Sequence, residues 1–193
     1  MTTTQDQQTP VVENLTGTYT LDASHSRLGF VARHAMVTKV RGAFNEVEGS
    51  GFFDAEHPSR SHFEVTIQAN SIDTRNADRD AHLRGNDFFE MDRYPEIRFA
   101  STKVEPAGDS TYRVTGDLTI KDVTKPITFD VELTGAVKDP WGNVRLGLEG
   151  STVINRKDWN VTWNAALEAG GVLVSDKVTL EFEVEAIKVE DES

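Results

Sequence analysis

Residues 111–139 read TYRVTGDLTIKDVTKPITFDVELTGAVKD, and the alternation inside them decides the fold. Tyr112, Val114, Leu118 and Ile120 share one parity, while Arg113, Thr115, Asp117 and Thr119 take the other. After the polar stretch 121–126, Ile127, Phe129, Val131, Leu133 and Val137 alternate with Thr128, Asp130, Glu132 and Thr134. Successive side chains of a strand point to opposite faces, so each run has one apolar face and one wet face. A connection this short predicts an antiparallel pair.

The same period extends in both directions. Val144, Leu146, Leu148 and Ile154 alternate with Arg145, Glu149 and Ser151, and Val178, Leu180, Phe182 and Val184 with Thr179, Glu181 and Glu183. Earlier in the chain come Leu28-x-Phe30-x-Ala32, Phe63-x-Val65-x-Ile67 and Ile97-x-Phe99. Residues 42–53, with Phe44, Val47, Phe52 and Phe53 around Gly49 and Gly51, read as a hairpin. The stretch RNADRDAHLRGNDFFEM, residues 75–91, breaks the period. It reads as a short helix and loop with Gly85 or Asn86 as C-cap, its apolar end placed to cover a barrel mouth. The fold class is all-β: roughly eight antiparallel strands, each with one dry face, forming a sandwich or closing into a barrel. Alternation alone leaves open whether the enclosed space is filled.

At 193 residues the chain reads as one domain. Residues 1–16 are a polar, aperiodic lead expected to be disordered, 17–188 the barrel domain and 189–193 an acidic tail. There is no cysteine, hence neither disulfide nor thiolate metal site. The net charge of -12 predicts a soluble protein and argues against nucleic acid and anionic headgroups as partners. No apolar run approaches the ~18 residues of a membrane span, so stable membrane insertion is not expected. The start, MTTTQDQQTP, lacks the basic and apolar regions of a secretory signal, so a cytoplasmic location is expected, or a periplasmic or secreted one if a signal was removed.

His25, His34 and His82 are the candidate metal ligands, but His25 and His34 stand nine apart, on opposite faces of a regular strand. A site made of histidine needs three converging imidazoles, and no metal site is assigned. Ser24, Ser26 and Ser71 with His82 and Asp80 supply the residue types of a hydrolytic triad without any of its sequence signatures. Neither catalytic residues nor a cofactor are assigned. Ser24, His25, Asp73 and Arg79 read instead as hydrogen-bonding loops and barrel ends.

Several strings resemble the YceI-like family of polyisoprenoid-binding proteins. They include Ser24-His25-Ser26, residues 28–34 (LGFVARH), Arg41-Gly42-Ala43-Phe44, residues 69–74 (ANSIDT) and residues 79–84 (RDAHLR). Asp87-Phe88-Phe89, residues 94–99 (YPEIRF), residues 116–120 (GDLTI), Thr124-Lys125-Pro126 and residues 155–158 (NRKD) continue the likeness in family order, from about Gly17 to Ile187. Asp122 stands where the family usually has Gly, and Trp159-Asn160 where it has Phe-Gly. The resemblance implies an extended, lipocalin-like, eight-stranded antiparallel barrel, non-enzymatic, holding an isoprenoid lipid such as a quinone or polyprenyl derivative.

On that reading Phe30, Phe44, Phe63, Ile67, Leu83, Phe88, Phe99, Leu118, Phe129, Leu146, Trp159, Trp163 and Phe182 line the bore. Arg79, His82 and Arg156 stand at its mouth. The alternatives are a carrier of another apolar molecule such as a fatty acid, an enzyme using the barrel as its active site, or a barrel with a filled core. Edge pairing, or packing through residues 75–91, is compatible with a homodimer.

Overall fold

A computed structural model describes residues 14–167, 171 and 173–190. Most of the N-terminal lead, residues 1–13, and residues 191–193 of the acidic tail lie outside the described residues. The strands are β1 (Gly17–Leu21), β2 (Arg27–His34), β3 (Thr38–Phe44), β4 (Val47–Phe53), β5 (His62–Gln68) and β6 (Ile72–Asp73), followed after one helix by β7 (Glu96–Pro106), β8 (Thr111–Ile120), β9 (Val123–Lys138), β10 (Val144–Asn155) and β11 (Lys177–Lys188). The helix α1 spans Ala77–Arg84.

The sheet runs β1-β4-β5-β7-β8-β9-β10-β11 and closes by pairing β11 with β1. This is an eight-stranded antiparallel barrel. The three remaining segments, β2, β3 and β6, lengthen its first three staves. β1 and β2 share the edge of β11, interrupted by the 3-10 turn Ala23–His25. β3 and β4 answer them across the next ladder. β5 and β6 follow, broken by the 3-10 turn Ala69–Ser71. Residues 42–53 are therefore not the hairpin their local pattern suggests: β3 and β4 are two halves of one bent stave, hydrogen-bonded to different neighbours.

The β8–β9 connection is also tighter than the polar stretch 121–126 implies. Ile120 pairs with Val123, leaving a two-residue turn with Lys121 at φ 58, and Pro126 lies within β9 opposite Asp117. A bulge in β9 leaves Thr134 unpaired between Gly135↔Gly147 and Leu133↔Leu148. An extra residue reverses the parity beyond it. Ala136 then turns inward opposite Leu146, and Val137, expected on the apolar face, is 43% exposed.

Candidate functional site

Inward side chains do not meet on the barrel axis. They enclose a cavity of about 400 Å³, in the range of small-molecule sites. Much of the reason lies in three aromatic rings and three glycines. Gly42, Gly116 and Gly150 occupy inward positions, and a Cβ on any of them would overlap the ring of Phe30, Phe99 or Phe182 respectively. Each ring lies down on the bare backbone of the adjacent strand instead of projecting to the centre. Phe63, Phe99, Phe129 and Phe182 form a belt along the wall, with successive centroids 5.6, 5.4 and 5.5 Å apart. Such tilted and edge-on contacts are the favourable aromatic geometries.

Eleven of the thirteen residues expected along the bore do border it: Phe30, Phe44, Phe63 and Ile67 from the first staves, Leu83 and Phe88 from the helical segment, and Phe99, Leu118, Phe129, Leu146 and Phe182 from the rest. Trp159 and Trp163 do not. Trp159 sits in a 3-10 turn, Arg156–Trp159, is 3% exposed, and donates its indole N–H to the Leu118 carbonyl at 2.8 Å. Burying an indole requires a partner for that N–H, and the bond turns the ring into the gap between β8 and the turn. Asn160 follows at φ 63, a left-handed position that Asn tolerates well. Trp163 packs on the His82 and Phe88 rings at 4.7 and 5.3 Å.

One end of the barrel is covered by two lids. The first is α1 with the following loop to Met91. Asn76 caps α1 by accepting from the Arg79 N–H at 3.0 Å, and Gly85 ends it with an N–H bond to the His82 carbonyl. Buried Asp80 accepts from the Thr74 N–H at 2.9 Å and from its hydroxyl at 2.5 Å. Arg79 donates to the Thr74 hydroxyl and carbonyl, both at 2.7 Å, so it ties the helix down and lies outside the cavity wall. His82 bonds Asp87 at 2.8 Å and likewise does not border the cavity. Leu83, Phe88 and Phe89 face it from above.

The second lid comes from residues 161–164 and 173–175, with Val161 and Val174 on the cavity wall. Here Arg156, 5% exposed, borders the cavity and donates to the carbonyls of Ser175, Val161, Trp163 and Val174 at 2.9, 2.6, 3.0 and 3.3 Å. Burial pushes its guanidinium pKa down, against the opposing pull of Asp176 at 4.0 Å. The expected mouth residue is thus a staple for the lid that also borders the bore.

The residues weighed as metal ligands or a triad stand apart. Ser24 and His25 bond the Asp22 carboxylate, Ser26 the Asp22 carbonyl and Ser71 the Gln68 carbonyl. Asp22, His25 and Glu185 do bring ligand-type atoms within 4.8 Å of one another. Arg145 already sits among them, 2.9 Å from Asp22 and 3.4 Å from Glu185, so the positive charge that those carboxylates attract is in place. This cluster gave no signal in the sequence, because its members come from β10, β11 and the β1–β2 break.

The family model for the YceI-like domain matches residues 19–186. A UPF0312 protein of Photorhabdus laumondii is 43% identical over 148 residues, covering 76% of this chain and 77% of that one. The crystal structure of a Campylobacter jejuni YceI protein matches with a TM-score of 0.71 at 32% identity, over 82% of this chain and 90% of that one. A polyisoprenoid binding domain from Saccharophagus degradans, implicated in plant cell wall breakdown, shares the fold with a TM-score of 0.63 at 17% identity, over 89% of this chain and 98% of that one.

Proposed function

The chain belongs to the YceI-like family, and on that premise we propose that it binds one long apolar ligand, a polyisoprenoid lipid, for storage or transport and without catalysis. The observation that supports this best is the open bore itself, kept free of side chains where rings lie on Gly42, Gly116 and Gly150. The polyisoprenoid-binding relative of the same fold points to the ligand class.

A polyprenyl chain suits such a bore because dispersion contacts run along its whole length. About 20 buried carbons give a gross transfer term near 16 kcal/mol from water, much of it offset by ordering the chain. In a cell the competing environment is a bilayer, as apolar as the bore. Hydrophobicity therefore explains why the ligand is tolerated, and selectivity rests on shape and on the few polar groups. Arg156 is the only Lys or Arg among the described lining residues, so we assign the headgroup to the lidded end beside it.

The test is native purification from an isoprenoid-containing host, solvent extraction and mass spectrometry. A stoichiometric polyprenyl species is expected, a fatty acid mass redirects the ligand class, and a clean extract overturns the carrier reading. Phe129→Arg, which places a charge on the aromatic belt, is expected to abolish retention in a folded protein.

A further inference from the structure

The barrel wall parts along one seam. The β9–β10 ladder runs from Val144↔Lys138 to Gly150↔Val131 and stops there. Beyond that point Val123–Asp130 pairs only with β8 and Ser151–Asn155 only with β11. Among the described residues no backbone hydrogen bond crosses the parting. Its far end is filled by the turn carrying Trp159. Unpaired strand edges need other partners, water among them, so no ladder of hydrogen bonds holds these lips together.

Both lips belong to the cavity wall on their inner side, through Phe129 on β9 and Thr152 on β10. Outside, a crevice of about 490 Å³ lies over the same place, lined among others by Asp130 and Ser151. Cavity and crevice share two wall residues, Glu181 and Phe182. Phe182 faces Gly150 across the β10–β11 ladder, where a Cβ would stand 2.5 Å from its ring. At this height the Phe182 ring and the Asp130 carbonyl, both against Gly150, stand between the two spaces.

We propose that the parting between β9 and β10 is a side entrance to the cavity, shuttered by Phe182, through which an apolar chain passes between Phe129 and Thr152. This rests on the reading of the cavity as a ligand site. The two ends of the barrel are harder to open. The lidded end is held by the buried bonds of Arg156 and of Asp80, which must break before the bore is exposed. At the other end Tyr19, Val104 and Leu146 are packed at 5, 4 and 3% exposure. Swinging Phe182 off Gly150 breaks no hydrogen bond and disturbs one aromatic contact, with Phe129.

The chain has no cysteine, so a pair introduced as Asp130→Cys with Ser151→Cys is the sole target for a bifunctional methanethiosulfonate reagent that bridges the lips reversibly. The readout is stopped-flow fluorescence of N-phenyl-1-naphthylamine, bound and then displaced by excess farnesol. Bridging is expected to slow both association and release about tenfold, and reductant to restore them. Phe182→Ala is expected to speed association about tenfold, and an association rate equal to that of the parent protein overturns the shutter. Bridged protein exchanging the probe at the unbridged rate overturns the side entrance alone. No equilibrium binding of the probe, before or after bridging, overturns the cavity reading and the entrance with it.

Discussion

Phe30 lies against the wall because Gly42, opposite it on β3, offers no Cβ, and the ring atoms of Phe30 are the nearest atoms such a Cβ would meet. Gly42→Ala should therefore push the ring toward the axis. Overpacking of this kind costs about 1–3 kcal/mol, readable as a lower urea midpoint. The same movement narrows the bore, so binding of N-phenyl-1-naphthylamine should weaken about tenfold. Unchanged stability and affinity would mean the ring has another place to go. Arg156 is the second residue whose removal has a defined consequence. Arg156→Met leaves carbonyls of Val161, Trp163, Val174 and Ser175 without their donor, a loss of about 3 kcal/mol. Hydrogen exchange in residues 161–167 and 173–175 should accelerate ahead of the strands, and uniform acceleration would deny Arg156 its role as a local staple. Most lining residues were legible in the sequence, since inward parity alone selects Phe63, Phe99 or Phe129. That the rings of Phe30, Phe99 and Phe182 lie flat was not, because it depends on which glycine the register brings opposite or diagonal to each. Trp159 and Trp163 were misplaced because period-2 reasoning has no purchase outside a strand: Trp159 lies in a 3-10 turn where its indole N–H decides the direction, and Trp163 lies in the irregular chain after it, against His82 and Phe88.

Helix α1 is the element least able to stand alone. It has eight residues, short of the ~12–15 at which isolated helices become even marginal, so its stability comes from caps and docking. Asp80→Ala removes the acceptor of the Thr74 N–H and hydroxyl inside a buried contact, and about 2 kcal/mol of local stability with it. Asn76→Ala removes the cap and should cost about 1 kcal/mol. Protection of α1 amides should fall in both variants while β7–β11 keep theirs; loss of protection in β7–β11 to the same degree would make the helix part of the barrel's own cooperative unit. The helix and the later strands could be read from local pattern, the first from its broken period and Gly85, the others from long clean alternation. The first staves could not. Residues 42–53 carry turn-like glycines and two short apolar runs, and only the non-local partners β1 and β2 reveal a bent stave in place of a hairpin. Bulges escaped for the same reason: nothing near Thr134 announces that Leu133 and Gly135 pair with consecutive residues of β10.

Closure of the whole barrel depends on β11 holding β10 on one edge and both β1 and β2 on the other, and one polar cluster binds these parts where the first stave breaks. Arg145 on β10 reaches Asp22 in the break and Asp139 in the β9–β10 turn, each at 2.9 Å, and Glu185 on β11 at 3.4 Å. The Ser24 hydroxyl, the His25 ring and Arg145, opposed by burial, hold the Asp22 carboxyl far below the ordinary carboxylate range. Burial pushes Asp139 up, but Arg145 with the Asn143 and Trp141 amides outweighs it and holds the group at about 2. Both acids bind a proton less readily folded than unfolded, so the unfolded chain takes up more protons as pH falls. The cluster's contribution is therefore complete above the ordinary aspartate value of 3.8 and drains away as pH drops toward about 2 and below. Arg145→Met removes the common partner and with it much of the depression of both acids. Its urea midpoint should lie below that of the parent protein at pH 7, and the gap should narrow progressively from about pH 4 downward as the parent loses what the variant already lacks. A gap that stays constant from pH 7 to pH 2 would show that Arg145 acts through the packing of its hydrocarbon stem, and that the charges around it contribute nothing to closing the barrel.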